Sequence, residues 1–306
     1  MKIFITGIAG FIGYHLARDL QALGHDVSGM DDYNDYYDPE LKADRTNILN
    51  QRQIRVDVQD VKYIGLIKNA HSADLIVHLA AYAGVRYSLD NPQLYIDNNV
   101  IATAEVIKVA EESDTPVVYA SSSSVYGGQN FTEDAPFQHL SNPYAWSKYV
   151  NECQFKHSKL TSSTGFRFFT VYGPYGRPDM ALYTFVDNIM NGKPITVNNH
   201  GDMTRDFTYV QDIINGILLL IDETIVNNVH DIYNIGSGKS TQLLRFIELI
   251  EDNLGIKAEK IMAPMHPADV QNTLADITKI KTLGYKPKTT VEAGISEFVS
   301  WYKSYY

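Results

Sequence analysis

Lys2-Ile3-Phe4-Ile5-Thr6-Gly7-Ile8-Ala9-Gly10-Phe11-Ile12-Gly13 is the stretch on which the fold turns. Its first five residues are a short apolar run with β-branched members, which predicts a buried strand. Gly7, Gly10 and Gly13 follow at a spacing of three, and residues 11–23 then carry a helical apolar pattern that stops at Gly24. Three glycines so close together can be no more than a tight turn. Between a strand and a helix they do more: the backbone can approach a pyrophosphate closely, and the helix N-terminus offers free N–H groups. Phe11 and Ile12, inside the turn, belong to the same cofactor-facing set.

A second strand, residues 26–30, runs into Asp31, 18 residues after Gly13. An acid there can accept both hydroxyls of an adenosine ribose. Asp31 and Asp32 would repel a 2′-phosphate, and no Lys or Arg occurs between them and Lys42, so NAD is expected rather than NADP. Asp57 and Val58, after a third strand at 54–56, are expected beside the adenine, with helix capping the other use for Asp57. Leu79, Ala80 and Ala81 close a strand at 75–79, and the alanines are small enough for a cofactor to lie against them. His78 reads as a satisfied interior histidine.

Further strands are expected at 117–120, 166–170 and 232–235, and helices at 100–112 and 144–160. Strands alternating with helices give an α/β fold, a Rossmann-type doubly wound parallel sheet covered on both faces. After about Val171 the alternation weakens and Gly, Pro and Asn become frequent. The expected division is therefore an NAD-binding domain over residues 1–171, with re-entry around 206–240, and a smaller mixed α/β substrate region over 172–306.

Of the 306 residues, 20% are charged and 44% hydrophobic, as in a soluble globular protein. A net charge of −10 argues against nucleic acid or an anionic membrane as the main partner. An anionic substrate would need placed arginines, of which the chain has nine. Cys153 is the only cysteine, which excludes an internal disulfide and a cysteine-rich metal site; no metal is expected. A reducing, cytoplasmic setting fits. The N-terminal apolar run is too short for a signal peptide, and residues 213–221, interrupted by Asn215, are too few to span a bilayer.

Tyr144-Ala145-Trp146-Ser147-Lys148 places a phenol and an ammonium four residues apart, on one face of a helix. A phenol with a pKa near 10 is a poor base at neutral pH. A neighbouring lysine and a positive nicotinamide ring both favour phenolate. Composition alone gives about one such pair in a chain like this, so position carries the signal. The pair follows a strand ending in Ser121-Ser122-Ser123-Ser124, where ligands bind in parallel sheets.

These segments, with Val125-Tyr126-Gly127, resemble the extended short-chain dehydrogenase/reductases over nearly the whole chain. Ala83-Gly84-Val85-Arg86-Tyr87-Ser88, Tyr172-Gly173-Pro174-Tyr175-Gly176-Arg177-Pro178-Asp179-Met180-Ala181 and Gly201-Asp202-Met203-Thr204-Arg205-Asp206-Phe207 are similar to the UDP-glucuronate 4-epimerase branch. The resemblance implies that Tyr144 is the base and later the acid, and that Lys148 binds the nicotinamide ribose. Ser122 would be the hydroxyl relay, with Ser121 and Ser123 alternatives in the serine run and Ser123 a substrate contact. Arg205 would pair with the UDP diphosphate, Asp269 would hold the uridine ribose, and Asn99 would support the cofactor loop. The chain departs from the branch at His266-Pro267-Ala268-Asp269, where Gln-Pro-Gly-Asp is usual, and at Asp32, where Asn is usual.

The implied activity inverts C4 of UDP-glucuronic acid, giving UDP-galacturonic acid through a 4-keto intermediate with transient hydride transfer to bound NAD. Related dehydratases and decarboxylases carry acids close to the relay hydroxyl, whereas here Ser123 and Ser124 follow Ser122. A 4-keto glucuronate is a β-keto acid, so its carboxylate must be held fixed; Thr170 and Arg177 suit that task. Arg86 is either a second anion contact or a dimer-edge residue. The alternatives are a UDP-glucose/UDP-galactose 4-epimerase and a UDP-glucuronate decarboxylase. The same resemblance implies a homodimer through the 100–112 and 144–160 helices and a role in polysaccharide supply.

Overall fold

The computed structural model describes residues 1–129, 131–135 and 140–306. Seven strands form one sheet: β1 (Lys2–Thr6), β2 (Asp26–Asp31), β3 (Arg55–Val58), β4 (Leu75–His78), β5 (Val117–Ser122), β6 (Ser163–Phe168) and β7 (His230–Ile235). Their spatial order is β7-β6-β5-β4-β1-β2-β3, and every neighbouring pair is parallel. This is the expected doubly wound arrangement, with the order reversing at β1 and β4.

Strands buried on both faces must be apolar at odd and even positions alike. In β1, Ile3 and Ile5 pack into one cluster with Leu16 and Leu20 of the Phe11–Ala22 helix and Ile213 and Ile217 of the Val210–Asn227 helix. Phe4 points the other way, into a second cluster with Ile76, Val106, Val117 and Phe155. The Ala102–Glu112 and Pro143–Lys156 helices supply that second layer.

Several boundaries differ from the sequence expectation, three of them for a clear local reason. The expected strand at 166–170 is two strands: β6 ends at Phe168, and Thr170–Tyr172 leaves to pair in parallel with Phe207–Tyr209. The helix expected at 144–160 is Pro143–Lys156, started by Asn142, whose side chain accepts the Ala145 amide at 2.8 Å, with Pro143 in the first turn. The helix expected at 100–112 begins at Ala102, after a π-helical segment, Ile96–Ile101, that holds Asn99.

The Val210–Asn227 helix and β7 bring the chain back to the edge of the large sheet beside β6. The remaining C-terminal region is built on the Ala181–Met190, Leu243–Leu254 and Val291–Tyr305 helices and on short strand pairs. The Phe207 and Phe246 rings stack there at 3.8 Å between centroids. Its strands and loops stand over the carboxyl ends of β1, β4 and β5, which is where the site lies. Among the described residues no helix is long and apolar enough to cross a membrane.

Candidate active site

One cavity of about 1070 Å³ runs along those strand ends. Its floor is the glycine turn. Gly7 has φ +73°, and a β-carbon on it would stand 2.8 Å from the Ala80 amide nitrogen. A β-carbon on Gly13 would stand 2.2 Å from the Gly7 carbonyl oxygen, so only glycine allows the turn to close. The following helix starts at Gly10 with no side-chain cap, which leaves its first N–H groups facing the cavity. Phe11, Ile12, Leu79, Ala80 and Ala81 line the same space. A narrow glycine cradle under an uncapped helix end fits a dinucleotide pyrophosphate.

Asp31 closes β2 and is buried at 6% exposure. Its Oδ1 accepts from the Tyr33 amide at 3.1 Å and from the Lys42 ammonium at 3.1 Å. Lys42 also lies 3.7 Å from Asp32. The acid pair is therefore partly neutralised, by a cation that reaches it from the Glu40–Gln51 helix and not from the adjoining loop. Two carboxylates against one ammonium still leave a site adverse to a 2′-phosphate.

Not every expected cofactor residue reaches the cavity. Asp57 lies in β3 and pairs with Arg55 at 2.7 Å, and Val58 is 68% exposed; neither lines the cavity, whereas Gln59 does. Asn99 is buried behind the wall. It accepts the Tyr82 amide at 2.9 Å, and it donates to the Tyr82 carbonyl at 3.0 Å and to the Ser147 hydroxyl at 2.8 Å. His78 is likewise interior: its two ring nitrogens bond Thr6 at 2.8 Å and Thr103 at 3.0 Å. Burial, then the charge of Lys148, push its pKa down to about 3, so it is neutral.

Tyr144 and Lys148 stand on the Pro143–Lys156 helix facing the end of β5. Burial raises the Tyr144 pKa above 10, while a hydrogen bond with Ser122 and the charge of Arg177 pull it back. Lys148 does not rest on the phenol; it donates to the Ala120 carbonyl at 2.8 Å. Burial pulls its pKa down to about 8 against the raising effect of Glu152. The serines of the run differ in their partners. Ser121 donates to Glu152 at 2.5 Å and is committed there, whereas Ser122 bonds Tyr144 and Ser124. Ser123 lines the cavity.

The far half of the cavity holds Thr170, Arg177, Arg205, Arg86 and Asp269. Arg177 makes a fork to Asp179, 3.0 Å from Nε to Oδ1 and 2.6 Å from Nη2 to Oδ2, and Tyr36 donates to the same carboxylate at 3.0 Å. Arg86 pairs with Asp269 at 2.7 Å across the cavity. Arg205 donates to the Thr204 and Gln271 carbonyls, both at 2.9 Å. Its pKa is lowered by burial first, opposed by Asp269 and reinforced by Arg86. Lys42, Asp179 and Glu152 are the residues that motif reading missed. Glu152, four residues beyond Lys148, carried a signal in its helical spacing.

Residues 3–236 match the family model described as the NAD dependent epimerase/dehydratase family. The chain belongs to that family. It is 45% identical over 317 residues to an uncharacterized protein of Methanocaldococcus jannaschii, covering 98% of this chain and 96% of that protein. It is 36% identical to a probable UDP-glucuronate 4-epimerase of Rhizobium meliloti, covering 100% of this chain and 98% of the relative. The crystal structure of UDP-glucuronic acid 4-epimerase from Bacillus cereus in complex with UDP-glucuronic acid and NAD superposes with a TM-score of 0.93. There the identity is 30%, and 100% of each chain is covered.

Proposed function

We propose that the protein is a UDP-glucuronate 4-epimerase that keeps NAD bound and acts through Ser122, Tyr144 and Lys148. The observation that carries this reading is that a Ser122-bonded phenol, a glycine cradle and an arginine share one cavity. Full-length likeness to proteins named for that activity supports it.

Gly7, Gly10, Gly13 and Asp31 would hold NAD at its pyrophosphate and adenosine ribose, and Lys148 at its nicotinamide ribose. When bound, NAD supplies the hydride acceptor and donor and a positive ring that favours phenolate. Tyr144 takes the proton of the sugar C4 hydroxyl, directly or through Ser122, as C4 is oxidised. Arg205 and Asp269 retain the nucleotide while the 4-keto sugar turns about its diphosphate linkage. Tyr144 then returns the proton to the C4 oxygen as C4 is reduced on its other face, giving UDP-galacturonate.

Throughout, Arg177 and Thr170 hold the sugar carboxylate charged, which opposes loss of carbon dioxide from the β-keto acid. The substrate carboxylate would take over an arginine fork that Asp179 fills in its absence. That occupied fork is the one observation favouring a second reading, a neutral-sugar epimerase, because a neutral sugar would leave Asp179 undisturbed. Incubation with UDP-glucuronate separates the cases: UDP-galacturonate is expected, UDP-pentose would make the protein a decarboxylase, and turnover of UDP-galactose alone would favour the second reading.

The division of labour between residues 1–171 with their re-entry and residues 172–306 is part of the same proposal. So are a homodimer, a cytoplasmic address and supply of a sugar for polysaccharide. Ile101 at 47% and Trp146 at 43% exposure support the dimer, as apolar side chains on the expected helix faces. Light scattering on Trp146→Glu would test it: a dimer that dissociates is expected.

A further inference from the structure

Tyr144, Lys148 and Glu152 follow one another at four-residue steps, so all three lie on one stripe of the Pro143–Lys156 helix. The reaction uses the first two. Glu152 is 3% exposed and lies beneath them. Its carboxylate accepts the Ser121 hydroxyl at 2.5 Å and two Arg167 donors, Nε at 2.9 Å and Nη2 at 2.8 Å. Arg167 belongs to β6 and also donates to the Tyr126 hydroxyl at 2.9 Å; that hydroxyl donates to Asn234 of β7 at 2.7 Å. Lys148 holds the Ala120 carbonyl. The helix therefore grips two consecutive residues of β5, Ala120 and Ser121, immediately before the serine that bonds Tyr144.

A buried ion pair is weak evidence of a stability role, since apolar residues of the same volume often serve as well. Its place explains it better. We propose that Glu152 is a positioning residue for the reaction: through Ser121 it sets the β5 serine turn against the Tyr144 helix, and its carboxylate is the counter-charge to the buried Lys148 ammonium. This rests on the epimerase reading for its kinetic consequence, but not for its electrostatic one.

The groups facing Lys148 are few. On its own helix they are Tyr144 and Glu152. From β4 comes His78, which is neutral, and β5 offers the Ala120 carbonyl. Arg167 pairs with Glu152 at 2.8 Å, and Arg177 acts on Tyr144. Burial drives Lys148 towards the neutral amine, and Glu152 is the acid that opposes it. Without that acid the ammonium is lost at lower pH.

The test compares the wild type with Glu152→Gln, Glu152→Asp and the double variant Glu152→Gln/Arg167→Gln, which avoids stranding the Arg167 guanidinium if the single variant fails to fold. Two readouts are taken on each purified protein. One is the pH profile of kcat with UDP-glucuronate. The other is the NMR titration of the 13C-labelled ε-carbon of Lys148, assigned by its loss in Lys148→Met. In Glu152→Gln and in the double variant, the Lys148 midpoint and the alkaline limb of kcat should both move to lower pH by about one unit or more. KM should change little, and Glu152→Asp should recover part of the shift. A folded variant whose Lys148 midpoint stays at the wild-type value overturns the proposal, whatever its melting temperature. A wild type inert towards UDP-glucuronate would overturn the reading of the reaction, and the NMR midpoint would still decide the role of Glu152.

Discussion

Replacing Arg177 by alanine should cost the protein both its hold on the substrate carboxylate and part of its pull on Tyr144. In the structure the guanidinium makes two charge-assisted bonds to Asp179, at 3.0 and 2.6 Å. An equivalent fork to the sugar carboxylate, cut at one partner, is worth about 2–5 kcal/mol. The two side chains are 20% and 30% exposed, so solvent screening puts the expectation in the lower part of that range. Roughly 2–3.5 kcal/mol corresponds to a fall of about 30- to 400-fold in kcat/KM for UDP-glucuronate. The second loss has a different signature. Without the Arg177 charge the Tyr144 phenol titrates higher, so the acid limb of the pH–rate profile moves to higher pH. The assay is steady-state kinetics across pH, with product analysis for UDP-pentose and carbon dioxide. Decarboxylated product should rise as a share of turnover, because only the Thr170 hydroxyl is then left to fix the carboxylate of the keto intermediate. Asp179→Asn is the opposite perturbation: it weakens the internal rival for the fork, and KM for UDP-glucuronate should fall. An Arg177→Ala protein with kcat/KM within a few-fold of wild type and no added carbon dioxide would refute the clamp.

Other residues give sharper single outcomes. Lys148→Met should abolish turnover yet stabilise the cofactor-free protein. Its pKa falls from 10.5 to about 8 on burial, so the unfolded chain binds more protons between those values and stability rises with pH across that window. Below pH 8 the full penalty, about 3 kcal/mol, is present; less about 1 kcal/mol for the bond to Ala120, thermal unfolding at pH 7 should show a net gain of about 2 kcal/mol, and a loss would contradict the burial cost. Gly13→Ala would put a β-carbon 2.2 Å from the Gly7 carbonyl oxygen. Purified Gly13→Ala should therefore carry no NAD by absorbance and mass spectrometry, and full NAD content would contradict the cradle. Ser122→Ala should lower kcat by roughly 10- to 100-fold, the scale of one mispositioned proton transfer; wild-type kcat would move the relay to another serine.

What the sequence made legible was contiguous. Gly7, Gly10 and Gly13 report a turn that no β-carbon can enter, and Asp31 sits at the end of a strand whose register places it on that turn. The Tyr144–Lys148 pair is legible because four residues make one helical step. Partners brought by distant elements were not legible. Lys42 reaches Asp31 only because the Glu40–Gln51 helix folds back on β2. Glu152 meets Arg167 only because β6 lies beside β5. The bond of Lys148 to the Ala120 carbonyl depends on where β5 packs against the helix. Arg177 and Asp179 are two residues apart, a spacing that implies a shared face in neither a helix nor a loop, so their fork was invisible before the loop was folded. The break after Phe168 carries no glycine or proline to mark it, since residues 166–170 are aromatic or β-branched apart from Arg167, and only the pairing of Thr170 with Phe207 shows that the chain has changed sheets.

The central claim is that one phenol and one resident dinucleotide invert a sugar alcohol without net redox change. Purified protein should be incubated with UDP-glucuronate carrying deuterium at C4, and the products followed by NMR and mass spectrometry with absorbance at the NADH band. UDP-galacturonate that keeps its C4 deuterium, with no accumulating NADH, is the expected result. UDP-galacturonate with solvent hydrogen at C4, stoichiometric NADH, or no C4 inversion at all would contradict it.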